Sequence, residues 1–320
     1  MSTTAKGAVN AEADDAAREK SKDRIAFWAI FAIPLIWGIG FPLTHNAVVH
    51  VDPGLYAFAR SLVATLALLP FALPFVLKAN RKTLIGGLLL GGFSALNIVS
   101  QSYALSYLSS ASTAFCVTLS VVFIPFVMLA MRQGMPSRID IVSVLIGLVG
   151  AYVFLGAQLD GLNVGYAWGL TAAFAIAMNI CIVGKLTSQQ GGIHRLALAF
   201  FQLLFGTVAL AWFPFNRPLE PLVRTEVWIA IVFMGVMSTA LAVVLQTRYQ
   251  QRVGSTRTSV IFNLDLVFAS LFGLLNKEPL TIAQVAGGAV LFLASSLESA
   301  LGLVKKLYRG TVGRWAVAGN

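Results

Sequence analysis

Residues 101–131, QSYALSYLSSASTAFCVTLSVVFIPFVMLAM, and residues 246–276, QTRYQQRVGSTRTSVIFNLDLVFASLFGLLN, align without a gap at an offset of 145. Gln101 falls on Gln246, Ser110 on Ser255, Thr113 on Thr258, Leu119 on Leu264 and Phe123 on Phe268. Their flanks differ in charge. Tyr107 to Ser109, and the residues on either side of it from 103 to 112, carry no Lys or Arg, whereas the matching 248–257 carries Arg248, Arg252 and Arg257. Lys and Arg gather on one side of a membrane, so the two segments are expected to enter it in opposite directions. A second echo supports the repeat: Trp37-Gly38 and Trp168-Gly169 each open a stretch rich in small residues.

Composition points the same way. The 320 residues are 58% hydrophobic and 11% charged, with a mean hydropathy of +0.80, against roughly 25% charged in soluble domains. Twenty-three basic and thirteen acidic side chains cannot cover water-soluble domains of this length. At roughly 20 residues per spanning helix, ten spans leave only short loops and two tails, with no room for an extramembrane catalytic domain. The net charge of +10 is not the footprint of a nucleic-acid binder, because the cations lie in short stretches between apolar runs rather than on one face of a module. Cys116 and Cys181 both fall inside apolar runs and read as small core residues.

Ten spans are expected at 25–44, 54–77, 83–106, 109–131, 139–157, 163–187, 193–213, 226–247, 253–275 and 281–304. Residues 1–24 carry five basic and five acidic side chains and read as a disordered tail, not a cleavable signal. Residues 305–320 form a short basic tail. With alternating spans and the first tail inside, 19 of the 23 Lys and Arg fall on the cytoplasmic side. Arg217, Arg224 and Lys277 fall on the other, and Arg60 lies in the membrane. Both termini are therefore expected in the cytoplasm. Five spans per half make residues 25–157 and 158–304 an inverted-topology repeat, an architecture of secondary transporters. The expected fold is an all-α integral membrane protein of ten helices around a central cavity.

Several stretches stand out in the two halves: LIWGIGFP at 35–42, Arg60 in YAFARSLVATLALLP, and YALSYLSSASTAFCVTLSVVFIP at 103–125 in the first, and the run from Arg248 through Asp265 to Glu278 with the Gly287-Gly288 pair in the second. On these residues the chain resembles the drug/metabolite transporter superfamily in its ten-helix form built from two EamA-type repeats. Within the superfamily it is most similar to the bacterial inner-membrane exporters of aromatic amino acids and methyl viologen. That likeness implies export of aromatic amino acids and related organic cations; other amino acids, quaternary amines and nucleotide precursors are the alternative cargo. Members of the superfamily usually carry Pro near the middle of the fourth and ninth helices, where this chain has Ser120 and Asp265, although Pro125 lies five residues later in the fourth; a bend is therefore not carried over to the ninth helix.

Enzymatic chemistry has little to work with. There are three histidines, His45, His50 and His194, and no HExxH, GxSxG or phosphate-cradling loop. No cofactor or metal site is expected. A membrane-embedded enzyme or receptor would differ from a transporter in moving nothing across a bilayer. His45 and His50 are expected in the loop after the first span, and His194 at the start of the seventh.

The candidate binding residues are polar or aromatic side chains inside the spans. Asp265 is foremost, since a carboxylate deep in a spanning helix is costly unless it faces a partner or a watery cavity. It could draw a cation or take up a proton. Arg60 could anchor a substrate carboxylate or extend its head to the membrane surface. Trp37 and Trp168 are expected as a pair of indoles facing one cavity, suited to a flat ring or organic cation. Asn97, Gln101, Tyr103, Thr113, Asn179, Gln246 and Asn263 complete the expected wet lining, because such groups must face protein or water in hydrocarbon. The expected partners are a small-molecule substrate, protons and the lipid bilayer.

Overall fold

The computed structural model describes residues 2–108, 110–134, 136–155, 163–188, 192–215, 217–273, 281–283, 285–294 and 297. The first half comprises α1 (Ser2–Val48), α2 (Pro53–Val76), α3 (Arg81–Tyr107), α4 (Ser110–Thr118), α5 (Ser120–Ala130) and α6 (Arg138–Leu155). The second comprises α7 (Val164–Ser188), α8 (Arg195–Leu210), α9 (Thr225–Phe233), a π-helix (Met234–Leu241), α10 (Ala242–Val253), α11 (Ser255–Phe262) and α12 (Asp265–Gly273). The last, α13, is Val285–Ala294. Among the described residues six helical stretches are long and apolar enough to cross a membrane, counting α4 with α5 and α9 through α10 as one each. Ile141–Val153, Arg195–Leu210 and Val285–Ala294 are shorter apolar helices. Lys277, Glu278 and residues 305–320 lie outside the described residues.

Starts and stops follow local chemistry. Asp52 accepts a hydrogen bond from Leu55 N at 2.9 Å and Pro53 stands at the first helical position of α2, where its missing N–H costs nothing. Asn80 caps α3 through Thr83 N at 2.9 Å, and His194 caps α8. Gly254, at φ 91°, separates α10 from α11 with a backbone that side chains disfavour.

Two expectations are corrected. The stretch read as a disordered tail is helical from Ser2 and runs straight into the first span. Its alanines and charged residues are good helix formers, and its inner end is held. Glu19 pairs with Lys22 at 2.6 Å, while Arg252 of α10 reaches Glu19 and Asp23 at 2.9 Å each. The ninth span, from which no bend was expected, is broken at a point without Pro, and the fourth is broken shortly before Pro125. The breaks fall at Leu119 and at Asn263–Leu264, and the offset of 145 maps Leu119 onto Leu264. Each is a tightened turn: Leu119 N bonds Cys116 O at 3.1 Å and Leu264 N bonds Ile261 O at 3.0 Å. Thr118 Oγ1 donates to Ala114 O at 3.0 Å, a back-bond that bends helices.

The contacts between helix ends establish the inversion. Arg252 ties the end of α10 to Glu19 and Asp23 of α1, just ahead of the first span. Arg195, at the start of α8, donates to Arg248 O at 2.7 Å, and Asn80 donates to Gly192 O at 3.1 Å. Lys185 near the end of α7 donates to Met131 O after α5 at 2.9 Å. The start of the first span thus shares a face of the molecule with the end of α7, so the first spans of the two halves run antiparallel. At the opposite face Arg217 pairs with Asp52 at 2.8 Å.

Packing repeats with the halves exchanged. Helix α3 lies on α7 and α8, while α10 and the π-helix lie on α1 and α2; α4 and α5 lie on α7, while α11 and α12 lie on α1. Glycines permit the close approaches. A Cβ on Gly38 would stand 2.5 Å from Phe268 Cβ of α12, and one on Gly169 2.6 Å from Cys116 Cβ of α4. Likewise Gly91 of α3 meets Phe205 and Gly206 of α8, and Gly235 of the π-helix meets Val63 and the Arg60 carbonyl of α2. Cys116 and Cys181 are buried free thiols.

Candidate functional site: a central cavity between the halves

Where the two halves face each other, the helices leave a cavity of about 800 Å³ of space between protein atoms, open solvent at its mouth included. Its walls are helical stripes. From α1 come Trp37, Gly40, Phe41 and Thr44; from α3, Ser94, Asn97, Ile98, Gln101 and Leu105. Steps of three and four residues keep each set on one face. Helix α7 adds Ile176, Asn179 and Ile180, α8 adds Gln202, and α2 adds Arg60. The π-helix and α10 contribute Met234, Ser238, Thr239 and Gln246, and Phe262 and Asp265 flank the break between α11 and α12.

The π-helix builds one side of the site. Trp37 Nε1 donates to Ser238 O at 2.9 Å, and its ring meets Phe262 edge-on with centroids 4.7 Å apart. Widened turns of this kind release carbonyls from the regular ladder and recur at functional sites. Arg60 reaches the same turn: Nε donates to Thr239 Oγ1 at 2.8 Å, and Nη2 lies 3.5 Å from Ser238 Oγ. Its Nη1 is buried without a hydrogen-bond partner, and the residue is only 5% exposed. Arg60 therefore does not extend to the membrane surface; its head is turned inward, to the cavity.

Asp265 is 2% exposed and begins α12, so its carboxylate sits at the positive end of a helix. Its Oδ1 has no partner. Ser94 joins three helices, accepting from Asn179 Nδ2 at 3.0 Å and from Gln202 Nε2 at 2.7 Å. Asn97 Oδ1 and Gln202 Oε1 are buried and unpartnered.

Beneath the cavity, toward the face bearing Lys185, Arg195 and Arg252, the fully buried Gln250 closes the floor. It accepts from Gln246 Nε2 at 2.8 Å, donates to Ile180 O, and lies 3.4 Å from Ser255 Oγ. At the opposite face His45 bonds Leu105 O at 3.0 Å and Thr44 bonds Tyr56 at 3.1 Å. There the Arg217 guanidinium is held above its usual pKa, first by its hydrogen bond with Asp52.

The expected residues divide accordingly. Trp37, Arg60, Asn97, Gln101, Asn179, Gln246 and Asp265 line the cavity; Trp168, Tyr103, Thr113 and Asn263 do not. Trp168 and Tyr103 stack on each other, centroids 5.1 Å apart. Trp168 shares a helix face with Asn179 but lies about 16 Å along α7 from it, at 1.5 Å per residue. Tyr103 lies on the face of α3 opposite Gln101. Thr113 is fully buried, its hydroxyl unpartnered, and Asn263 Nδ2 lies against Gly147 of α6. His45, expected in a loop, belongs to the last turn of α1. Ser94, Gln202 and Thr239 were missed. Gln202 in FFQLLF stands in as apolar a run as Gln246 and was findable by the same test; Ser94 and Thr239 look like any small hydroxyl residue until their neighbours are known.

A family model described as the EamA-like transporter family matches residues 24–156 and 163–299, one match per half. The chain belongs to this family. Two curated relatives agree. One is an uncharacterized transporter of Archaeoglobus fulgidus, 26% identical over 263 residues, covering 82% of each chain. The other is the uncharacterized transporter YvbV of Bacillus subtilis, 26% identical over 281 residues, covering 84% of this chain and 90% of that one. A solved crystal structure superposes with a TM-score of 0.68 over 88% of this chain and 97% of its own, at 18% identity, a likeness of fold. The membership makes this EamA-like protein a multi-pass membrane transporter.

Proposed function

We propose that this EamA-like protein is a secondary transporter of the bacterial inner membrane that exports small amphipathic metabolites by alternating access, both its termini being cytoplasmic. Aromatic amino acids and related organic cations are the proposed cargo. The observation that carries the reading is the wall of the central cavity, where Trp37, Phe41 and Phe262 stand beside Arg60, Asn97 and Asp265. Aromatic faces suit a flat ring or a delocalised cation, and the polar groups suit the charged end of the same molecule. A site at the interface of inverted repeats is where alternating access exposes one cargo to either side in turn. Asp265 is the group through which protons would couple to that movement.

The test is flux through the purified protein in liposomes. Labelled aromatic amino acids should cross faster than in empty vesicles, and an imposed pH gradient should change the rate if protons couple. If aromatic compounds stay put while other amino acids or nucleotide precursors cross, the cargo assignment fails and the transporter reading survives. If nothing tested crosses, the transporter reading fails for this chain.

A further inference from the structure

We infer that the cavity is built for a dipolar cargo, a small zwitterion whose carboxylate meets Arg60 and whose ammonium group faces Asp265. The inference rests on the reading of the cavity as the transport site and divides the two cargo classes proposed for it.

Arg60 and Asp265 are two buried ionisable side chains that do not pair with each other. Arg60 and Asp265 are 5% and 2% exposed, and no ion pair within 4.0 Å involves either of them among the described residues. Desolvating an ion is costly unless a counter-charge and hydrogen bonds compensate. Arg60 is only partly compensated: Thr239 and Ser238 take Nε and Nη2, both through neutral hydroxyls, and Nη1 has nothing. Asp265 likewise retains an unpartnered Oδ1.

The remaining unmet groups on the cavity walls sharpen the match. Besides Arg60 Nη1, which is a cationic donor, three acceptor oxygens lack donors: Asp265 Oδ1, Asn97 Oδ1 and Gln202 Oε1. One donor bearing positive charge and three acceptors, one of them a carboxylate, are the complement of a molecule with one carboxylate and one ammonium of three N–H groups. A guanidinium already held at two of its nitrogens is pre-set to receive a planar carboxylate at the third. A cargo carrying only positive charge would satisfy Asp265 and bring a second cation into the cavity with Arg60. A purely anionic cargo would do the reverse at Asp265. A zwitterion adds no net charge and meets both ends.

The experiment uses matched triads that differ only in charge: L-phenylalanine, phenethylamine and 3-phenylpropionate; L-tryptophan, tryptamine and indole-3-propionate; L-leucine, 3-methylbutylamine and 4-methylpentanoate. Binding to the purified full-length chain and flux in proteoliposomes are measured at pH 7, where each compound holds its charge. In at least one triad the amino acid should bind about tenfold or more tighter than its amine and its acid. Arg60→Gln should abolish the advantage of the amino acid over its amine, weakening amino-acid binding about tenfold while amine binding is kept or strengthened as the second cation is removed. Asp265→Asn should reduce it to the level of the acid. Should Arg60→Gln fail to fold, the wild-type ranking still decides, and Arg60→Lys should keep the ranking with weaker binding. Amines that bind and cross as well as their amino acids overturn the inference while leaving the transporter reading intact. Triads none of whose members bind or cross overturn it together with the amino-acid assignment.

Discussion

Arg60 and Trp37 owe their positions to one turn of π-helix, since Ser238 and Thr239 hold the guanidinium and the Ser238 carbonyl holds the indole. Trp37 and Trp168 therefore separate experimentally despite their matching Trp-Gly contexts. Trp37→Ala removes a cavity wall and should weaken aromatic cargo binding about tenfold. Trp168→Ala removes the stack on Tyr103 instead, and should lower stability by about 1–2 kcal/mol with binding unchanged within about twofold. Thermal unfolding and equilibrium binding of the two purified variants distinguish these outcomes.

At the scale of helices, close approach fixes what the site can tolerate. A Cβ at Gly38 would press on Phe268 Cβ and on the Ala269 backbone at 2.8 Å, whereas nothing lies within 4 Å of one at Gly92. Gly38→Ala should cost about 1–3 kcal/mol through forced displacement of α12. Gly92→Ala should be neutral or slightly stabilising. Melting temperatures of the two variants, measured in one detergent, test the contrast. The floor of the cavity is a second joint between helices, where Gln250 links α10 to α7 and α11. Gln250→Leu deletes these bonds and leaves Gln246 without its acceptor. Labelling of a Ser255→Cys thiol by a water-soluble reagent should then become several-fold faster. An unchanged rate would show that Gln250 does not hold the floor.

For the whole molecule, the antiparallel halves predict sidedness. Asn80, beside Gly192 on the Lys- and Arg-rich face, and Val223, 82% exposed at the other end, should react from opposite sides of sealed vesicles when each is replaced by Cys. Both native cysteines are buried and give little background. Reaction of both from one side would contradict the inversion.

The apolar runs, the 145-residue offset and the asymmetry of Lys and Arg were enough to determine an all-helical membrane protein of two opposed halves. Burial in lipid constrains composition at every position of a span, so the signal is spread along the chain and survives substitution. The fourth and ninth helices show where that legibility ends. The ninth breaks at Asn263–Leu264 without a proline to announce it, and the fourth breaks at Leu119, where Thr118 back-bonds to Ala114 O shortly before Pro125. The helical start of α1 was masked for a similar reason, since charged residues and alanine suit both a tail and a helix anchored by Arg252. Site membership was legible as a residue type and not as a position: Asn97 and Asn263 look alike in sequence, yet one lines the cavity and the other lies against α6. Which face of each helix turns inward is set by contacts between residues more than a hundred positions apart, such as Trp37 with Ser238 and Ser94 with Gln202, and only the tertiary structure brings those together.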